Sequence, residues 1–333
     1  VFDGPPHFSS AYRVRFIDDV NLKNADAFDS EVESIYLCVF NADNDTLVAT
    51  YSATADSLKR DDVDHCIEIT GLEPGAYHLV AWGGVHDDSS YSVTSVEPKA
   101  SRLSDLTCRL TRKTRAKSSE DYDVVDTNIN NLFHGTTDIY IPDPLTNDPE
   151  WVTFDIHLTK NTHRVSVTLQ QLDGETMDPD DYDFTIEADN GHLDHDNNII
   201  HDERSFIYRA YDKKSINIGA ADDDAVVNGL TAVTARHTIS RLMTQAACRD
   251  DGATYTQPKL VIYNTRTDEK LVSIPLIDFM LAVRDNYPQT TDDQDYLDRQ
   301  DDCNFTFFIN NGKWLDAYFL VNSWKVILNH DDL

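Results

Sequence analysis

The chain has 333 residues, comfortable for two domains and long for a single β-sandwich. Apolar residues make up 40% of it, enough for buried cores, so disorder is not the expected state. Lys and Arg number 28 against 59 Asp and Glu, a formal net charge of -31. Binding to nucleic acid depends on cationic side chains displacing counterions, so a polyanion of this size excludes nucleic-acid partners. The acidity reads as a well-solvated surface that resists self-association.

No apolar run reaches the ~18 residues of a membrane helix. The longest candidate, Ile274 to Val283, is cut by Asp278. The opening has neither the charged nor the apolar region of an export signal, so any such signal is absent from this sequence, and the start at Val1 without a Met suggests a processed or trimmed chain. The cysteines are Cys38, Cys66, Cys108, Cys248 and Cys303. None forms a C-x-x-C pair and their number is odd, so buried free thiols are expected, with a Cys38–Cys66 bridge as the alternative.

Along the chain, short alternating segments dominate. Tyr12–Phe16 alternates with period two, as a half-buried strand should, and Ser34–Phe40 is apolar on both faces and reads as a central strand. His65–Ile69 and Ala76–Trp82 flank Gly71-Leu72-Glu73-Pro74-Gly75, where Pro74 presets φ and Gly75 supplies φ > 0, a hairpin signal. Between about Arg112 and Glu150 the pattern dissolves into a basic run, Thr111–Lys117, and the turn-rich Pro142, Pro144 and Pro149. This stretch is expected to be a connector with the basic run as a solvated loop.

From Trp151 the strands resume. They are expected at Trp151–Leu158, Arg164–Leu169, Tyr182–Ala188, Ile199–Arg209, Ala225–His237, Lys259–Tyr263, Phe305–Ile309 and Tyr318–Leu328. Two helices are expected near the end. One opens at Pro275 with Leu276, Phe279, Met280 and Val283 at helical spacing, and the other spans Asp292 to Asp301 behind a Thr291-x-x-Gln294 capping box. The fold class is therefore mainly β, in two tandem sandwiches with short helices in the second. The domains are expected at residues 1–148, including the connector, and 149–333.

No catalytic constellation stands out. There is no G-x-S-x-G, no H-E-x-x-H and no phosphate-cradling glycine loop. His192, Asp194, His195, Asp196 and His201 lie close enough in sequence to hold zinc, but a polar loop between strands fits equally well. Asp194-x-Asp196-x-Asn198 opens like a calcium loop and fails at Ile199, where Gly is needed, and at Ser205, where Glu is needed. Asp178–Asp181 and Asp222–Asp224 read as solvated acidic turns. Trp82, Trp151 and Trp324 are expected to be packing residues. No catalytic, cofactor-binding or metal-binding residue is assigned, no cofactor is expected, and the chain is expected not to be an enzyme.

In order along nearly the whole chain, a set of segments resembles the FimB/Mfa-type anchor and minor-subunit family of type V pili of Gram-negative bacteria. They include Tyr12–Phe16, Ala25–Phe28, Pro74–Gly84, Leu132–Gly135, Leu158–Thr162 with Gln170–Leu172, Ile274–Asp278, Asp295–Gln300, Val321–Trp324 and Asn329–Leu333. The resemblance implies two transthyretin-like or immunoglobulin-like sandwiches in a surface-exposed outer-membrane lipoprotein. Such a protein holds a fimbria on the cell, limits its length and supports adhesion. It further implies partners, namely the major fimbrial subunit and accessory fimbrial proteins, and an N-terminal lipid (palmitate) on a cysteine upstream of residue 1. The competing expectations are a tip adhesin for a host glycan or protein and a secreted hydrolase or solute-binding module.

Overall fold

The computed structural model describes residues 12–58, 65–116, 121–142, 151–201, 204–218, 230–248, 255–315 and 318–327. It is built mainly of strands. In chain order these are β1 (Tyr12–Val20), β2 (Ser34–Asn41), β3 (Leu47–Thr54), β4 (Cys66–Ile69), β5 (Gly75–Gly83), β6 (Tyr91–Val93) and β7 (Cys108–Leu110). Next come β8 (Lys113–Ala116), β9 (Asp121–Val125), β10 (Phe133–Ile141), β11 (Val152–Lys160), β12 (Thr162–Gln171), β13 (Tyr182–Ala188), β14 (His192–Leu193) and β15 (Phe206–Arg209). The series closes with β16 (Asp212–Ile218), β17 (Leu230–Ser240), β18 (Lys259–Asn264), β19 (Glu269–Pro275), β20 (Asp302–Asn310), β21 (Lys313–Trp314), β22 (Tyr318–Val321) and β23 (Trp324–Ile327). Four short helices accompany them: α1 (Phe28–Glu31), α2 (Ala55–Leu58), α3 (Leu276–Leu281) and α4 (Asp293–Arg299). Two of these lie in the first half of the chain, where none was expected.

The described residues form two compact units, and neither is one continuous stretch. Residues up to 110, with 130–161 and 193–198, make the first; 111–129, 162–192 and those from 199 onward make the second. A single cut at 148/149 therefore does not separate them. Strand β11, beyond that point, pairs in parallel with β1 from Tyr12↔Val152 to Ile17↔His157. Strands β8 and β9, before it, join the second unit's sheet. The connector expected over 112–150 likewise contains β8, β9 and the nine-residue β10; residues 143–150, with Pro144 and Pro149, lie outside the described residues.

In the first unit one sheet runs β3-β2-β5-β10-β11-β1-β4. Side chains from both ends of this order share one core, among them Leu37 and Val39 of β2, Leu79 of β5, Ile156 and Leu158 of β11, Phe16 of β1 and Ile67 of β4. A flat sheet could not bring these together, so it must fold over on itself. The corner is Gly135. Strand β10 pairs with β5 along its whole length but with β11 only at Phe133↔Lys160 and His134↔Thr159. At Gly135 the backbone of β11 comes so close that a Cβ would sit 2.5 Å from His157 O, which only glycine allows.

Strand β2 is buried on both faces, as its sequence required. Its second face carries Cys38 and Phe40, each fully buried. Pro74-Gly75 does not close a hairpin: β4 pairs with β1 and β5 with β2 and β10, so the two strands around this turn stand apart in the sheet.

The second unit is a sandwich of two six-strand runs, β16-β17-β12-β20-β22-β23 and β19-β18-β13-β15-β9-β8, with β21 pairing onto β20. Alternate residues of each strand meet in the middle: Val165, Val167 and Leu169 of β12 and Phe305 and Phe307 of β20 from one sheet, Phe184 and Ile186 of β13 and Leu260 and Ile262 of β18 from the other. Helix α3 begins after Pro275, as the sequence implied, and buries Leu276, Ile277, Phe279 and Met280. Helix α4 starts one residue later than the expected box. Asp292 is the cap, accepting from Asp295 N–H, while Gln294 accepts from Thr244 N–H and donates to Leu242 O.

Two imidazoles are enclosed in this unit. His163 Nδ1 donates to Gln300 O at 3.0 Å, and His237 Nε2 donates to Phe184 O at 3.1 Å, from one sheet to the other. Burial pushes both down from 6.5 to about 4, against the upward pull of those carbonyls. Above about pH 6.5 both the folded and unfolded forms are neutral, and the stability is fully present. As pH falls from there to about 4, the unfolded chain takes up protons that the folded chain refuses, so stability falls by up to roughly 3 kcal/mol per imidazole. Below that both states are charged and the loss stops. Urea unfolding across this range is expected to show the decline, and His237→Gln should flatten it by about one proton's worth of slope. An unchanged slope in that variant would rule out this account.

Candidate functional surfaces

The five histidine and aspartate residues considered for zinc are not brought together. In the first unit Asp194 Oδ1 accepts the N–H groups of Asp196 at 2.9 Å and Asn198 at 2.8 Å, so the carboxylate that would ligate a cation closes its own loop. Asn197 at the tip, with φ 67°, exchanges two side-chain amide hydrogen bonds of 2.7 and 3.0 Å with the fully buried Asn161. His134 Nε2 donates to His195 O at 2.8 Å. In the second unit His201 Nδ1 lies 3.2 Å from Asp189 Oδ2. Among the described residues no group of three or more His, Cys, Asp or Glu is placed to hold a metal ion. Of the acidic turns, Asp178 caps its own 3-10 turn by accepting from Asp180 N–H at 2.9 Å, and Asp222–Asp224 lie outside the described residues.

The basic run is an edge strand, not a loop. Lys113 and Arg115 of β8 both reach the carboxylate of Asp126, and their hydrogen bonds hold it below the usual carboxylate range. Charged side chains on an edge discourage adventitious pairing. None of the five cysteines is in a disulfide. Cys38, Cys66, Cys108 and Cys303 are buried, and burial pushes the Cys38 thiol up to about 12, which makes it unreactive at neutral pH.

The tryptophans divide. Trp82 is fully enclosed, with its ring 4.6 Å from that of His134. Trp151 and Trp324 are instead 46% and 49% exposed: Trp151 immediately precedes β11, and Trp324 opens β23, the last strand of its sheet. The Arg13 guanidinium covers the Trp151 ring at 5.3 Å.

The C-terminal run expected as one strand over Tyr318–Leu328 is a hairpin. Asn322 and Ser323 both adopt positive φ, 49° and 71°, the geometry of a two-residue hairpin turn, and Val321 pairs with Trp324. Phe319 and Val321 of β22 are fully buried, whereas β23 is the sheet's last strand and exposes Trp324 and Ile327. Residues 328–333 lie outside the described residues.

Both units are strand-rich, and the terminal hairpin belongs to the sheet of the second. Residues 3–330 match the fimbrillin-A associated anchor proteins Mfa1 and Mfa2, and the chain belongs to that family. Among solved structures it is similar to an adhesin candidate from Bacteroides thetaiotaomicron, with 25% identity, a TM-score of 0.77, and 96% of this chain and 98% of that one covered. A candidate polysaccharide-binding protein of the same organism is also 25% identical, with a TM-score of 0.75 over 98% of this chain and 100% of that one. The fimbrial anchor protein Mfa2 of Porphyromonas gingivalis shares the fold, with a TM-score of 0.67 at 14% identity over 96% and 99% of the two chains. No protein of curated function matches the chain in sequence. The role is thus fimbrial, structural or adhesive, as the ordered segments implied.

Proposed function

We propose that this chain is a non-enzymatic fimbrial anchor: it attaches a fimbria to the outer membrane through a lipid on a cysteine upstream of residue 1 and limits the length of the fimbria. The carrying observation is that the match to the anchor family spans residues 3–330 rather than one domain. The folded-in β22–β23 hairpin supports the same reading, since Phe319 and Val321 are fully buried in this protein's own second unit. Strands β22 and β23, which complete this protein's own sheet, are not available to complete a neighbour's, as an anchor that does not donate a strand would require.

Deleting the gene is expected to release fimbriae into the medium and to lengthen them, with restoration by the full-length precursor but not by one whose lipid-bearing cysteine is replaced. Fimbriae that stay on the cell at normal length would refute the reading. Immunogold labelling at the free tip instead of the cell surface would favour the second reading, a tip adhesin, which the half-exposed Trp151 and Trp324 support.

A further inference from the structure

We propose that a cleft on the outer face of the second unit binds a neutral sugar residue of a glycan, an activity beyond anchoring. The cleft holds about 310 Å³, at the lower end of the roughly 300–1,000 Å³ of small-ligand sites. It is made by sheet register. On β13 the residues Phe184, Ile186 and Ala188 turn inward to the sandwich core, which leaves Glu187 on the opposite face. Directly across from Glu187 stand Ile207 of β15 and Lys259 of β18, and Ile207 in turn faces Val124 of β9, two residues on from Tyr122. An aromatic ring, an aliphatic floor, a carboxylate and an ammonium are thereby aligned across four neighbouring strands.

The walls are fixed. Gln257 is held by Ile277 N–H at 3.2 Å and Asp278 N–H at 3.3 Å and donates to Asp278 Oδ2 at 3.0 Å; Asp189 is held by His201. The working groups are left open. Glu187 and Lys259 are cross-strand partners, yet their side chains form no ion pair, and neither those side chains nor the Tyr122 hydroxyl hydrogen-bonds with another described residue. A ligand with one apolar face and several hydroxyls answers all of these groups: its C–H face lies on Tyr122 and Ile207, and its hydroxyls donate to Glu187 and accept from Lys259. Two carboxylates against one ammonium, in a chain of net charge -31, disfavour sialic and uronic acids and select neutral sugars.

The test is saturation-transfer NMR and calorimetry on the full chain, with glucose-, galactose- and mannose-terminated oligosaccharides beside sialylated ones. At least one neutral glycan is expected to bind. Tyr122→Ala, which removes the stacking face, and Glu187→Gln, which removes a charge-assisted hydrogen bond, should each weaken it by about tenfold or more. Glu187 is exposed, so Glu187→Gln is expected to keep the melting temperature of the parent. Binding unchanged in both variants, preference for the sialylated glycans, or no binding by any neutral glycan would each overturn the proposal. Counting cell-attached fimbriae in a Glu187→Gln strain keeps this result separate from the anchor reading, which predicts normal attachment whichever way the sugar experiment falls.

Discussion

Trp82→Ala is expected to lower the stability of the first unit by about 3–5 kcal/mol, a large share of the roughly 5–15 kcal/mol by which a domain is stable. The indole is fully buried on β5, between Tyr36 of β2 and His134 of β10 in the sheet register. Its N–H has no partner among the described residues, so the loss comes from packing and the cavity left behind, not from a broken hydrogen bond. Trp82→Phe should recover part of it. Trp324→Ala, at a half-exposed position on the last strand, should stay within about 0.5 kcal/mol. Urea denaturation of the three variants measures the contrast, and a Trp82→Ala protein with the parent's midpoint would show that Trp82 is not a packing residue.

The second large effect concerns assembly. If β23 stays paired with β22 in its own sheet, locking the two strands together covalently should cost nothing in function. Leu320 of β22 and Lys325 of β23 are cross-strand partners one pair beyond the turn-flanking Val321↔Trp324. That places them at a non-hydrogen-bonded pair, where the side chains are closest. The double variant Leu320→Cys, Lys325→Cys is expected to form a disulfide without disturbing the core, since both side chains point away from Phe319 and Val321. Cells carrying the oxidised variant should keep their fimbriae in normal number. Loss of fimbriae with the locked protein still folded and on the surface, and recovery on reduction, would mean that β23 leaves its sheet to complete another subunit.

How far the sequence could be followed depended on whether the deciding contact was local. Strand β13 coincides with the alternation of Tyr182–Ala188, β2 shows its double burial in an unbroken apolar run, and Pro275 marks the start of α3. Strand β10 was hidden because Gly135, Thr136, Thr137 and Asp138 resemble a loop, although a sheet corner needs that glycine. The last hairpin was hidden because its turn is Asn322-Ser323, and serine seldom accepts positive φ. Pro74-Gly75 misled for the opposite reason: a turn sequence says that the chain reverses, not which strand it will pair with. Nothing local could reveal the sugar cleft, since Tyr122, Glu187 and Lys259 meet only through the register of four strands.

The parallel pairing of β1 with β11 bears on mechanical strength. Tension applied between the start of β1 and the end of β11, at Lys160, would load this pair along its strands. In parallel strands those two points lie at opposite ends of the ladder, so tension slides one strand along the other and strains all their hydrogen bonds together; they do not open one by one. Arg15, bound through both Nε and a terminal nitrogen to Asp155 on the neighbouring strand, adds a side-chain tie across the same line of shear. Forced unfolding is governed by the rate of escape from the native state. A pair loaded in this way would resist separation by a slower rate of rupture, not by added equilibrium stability.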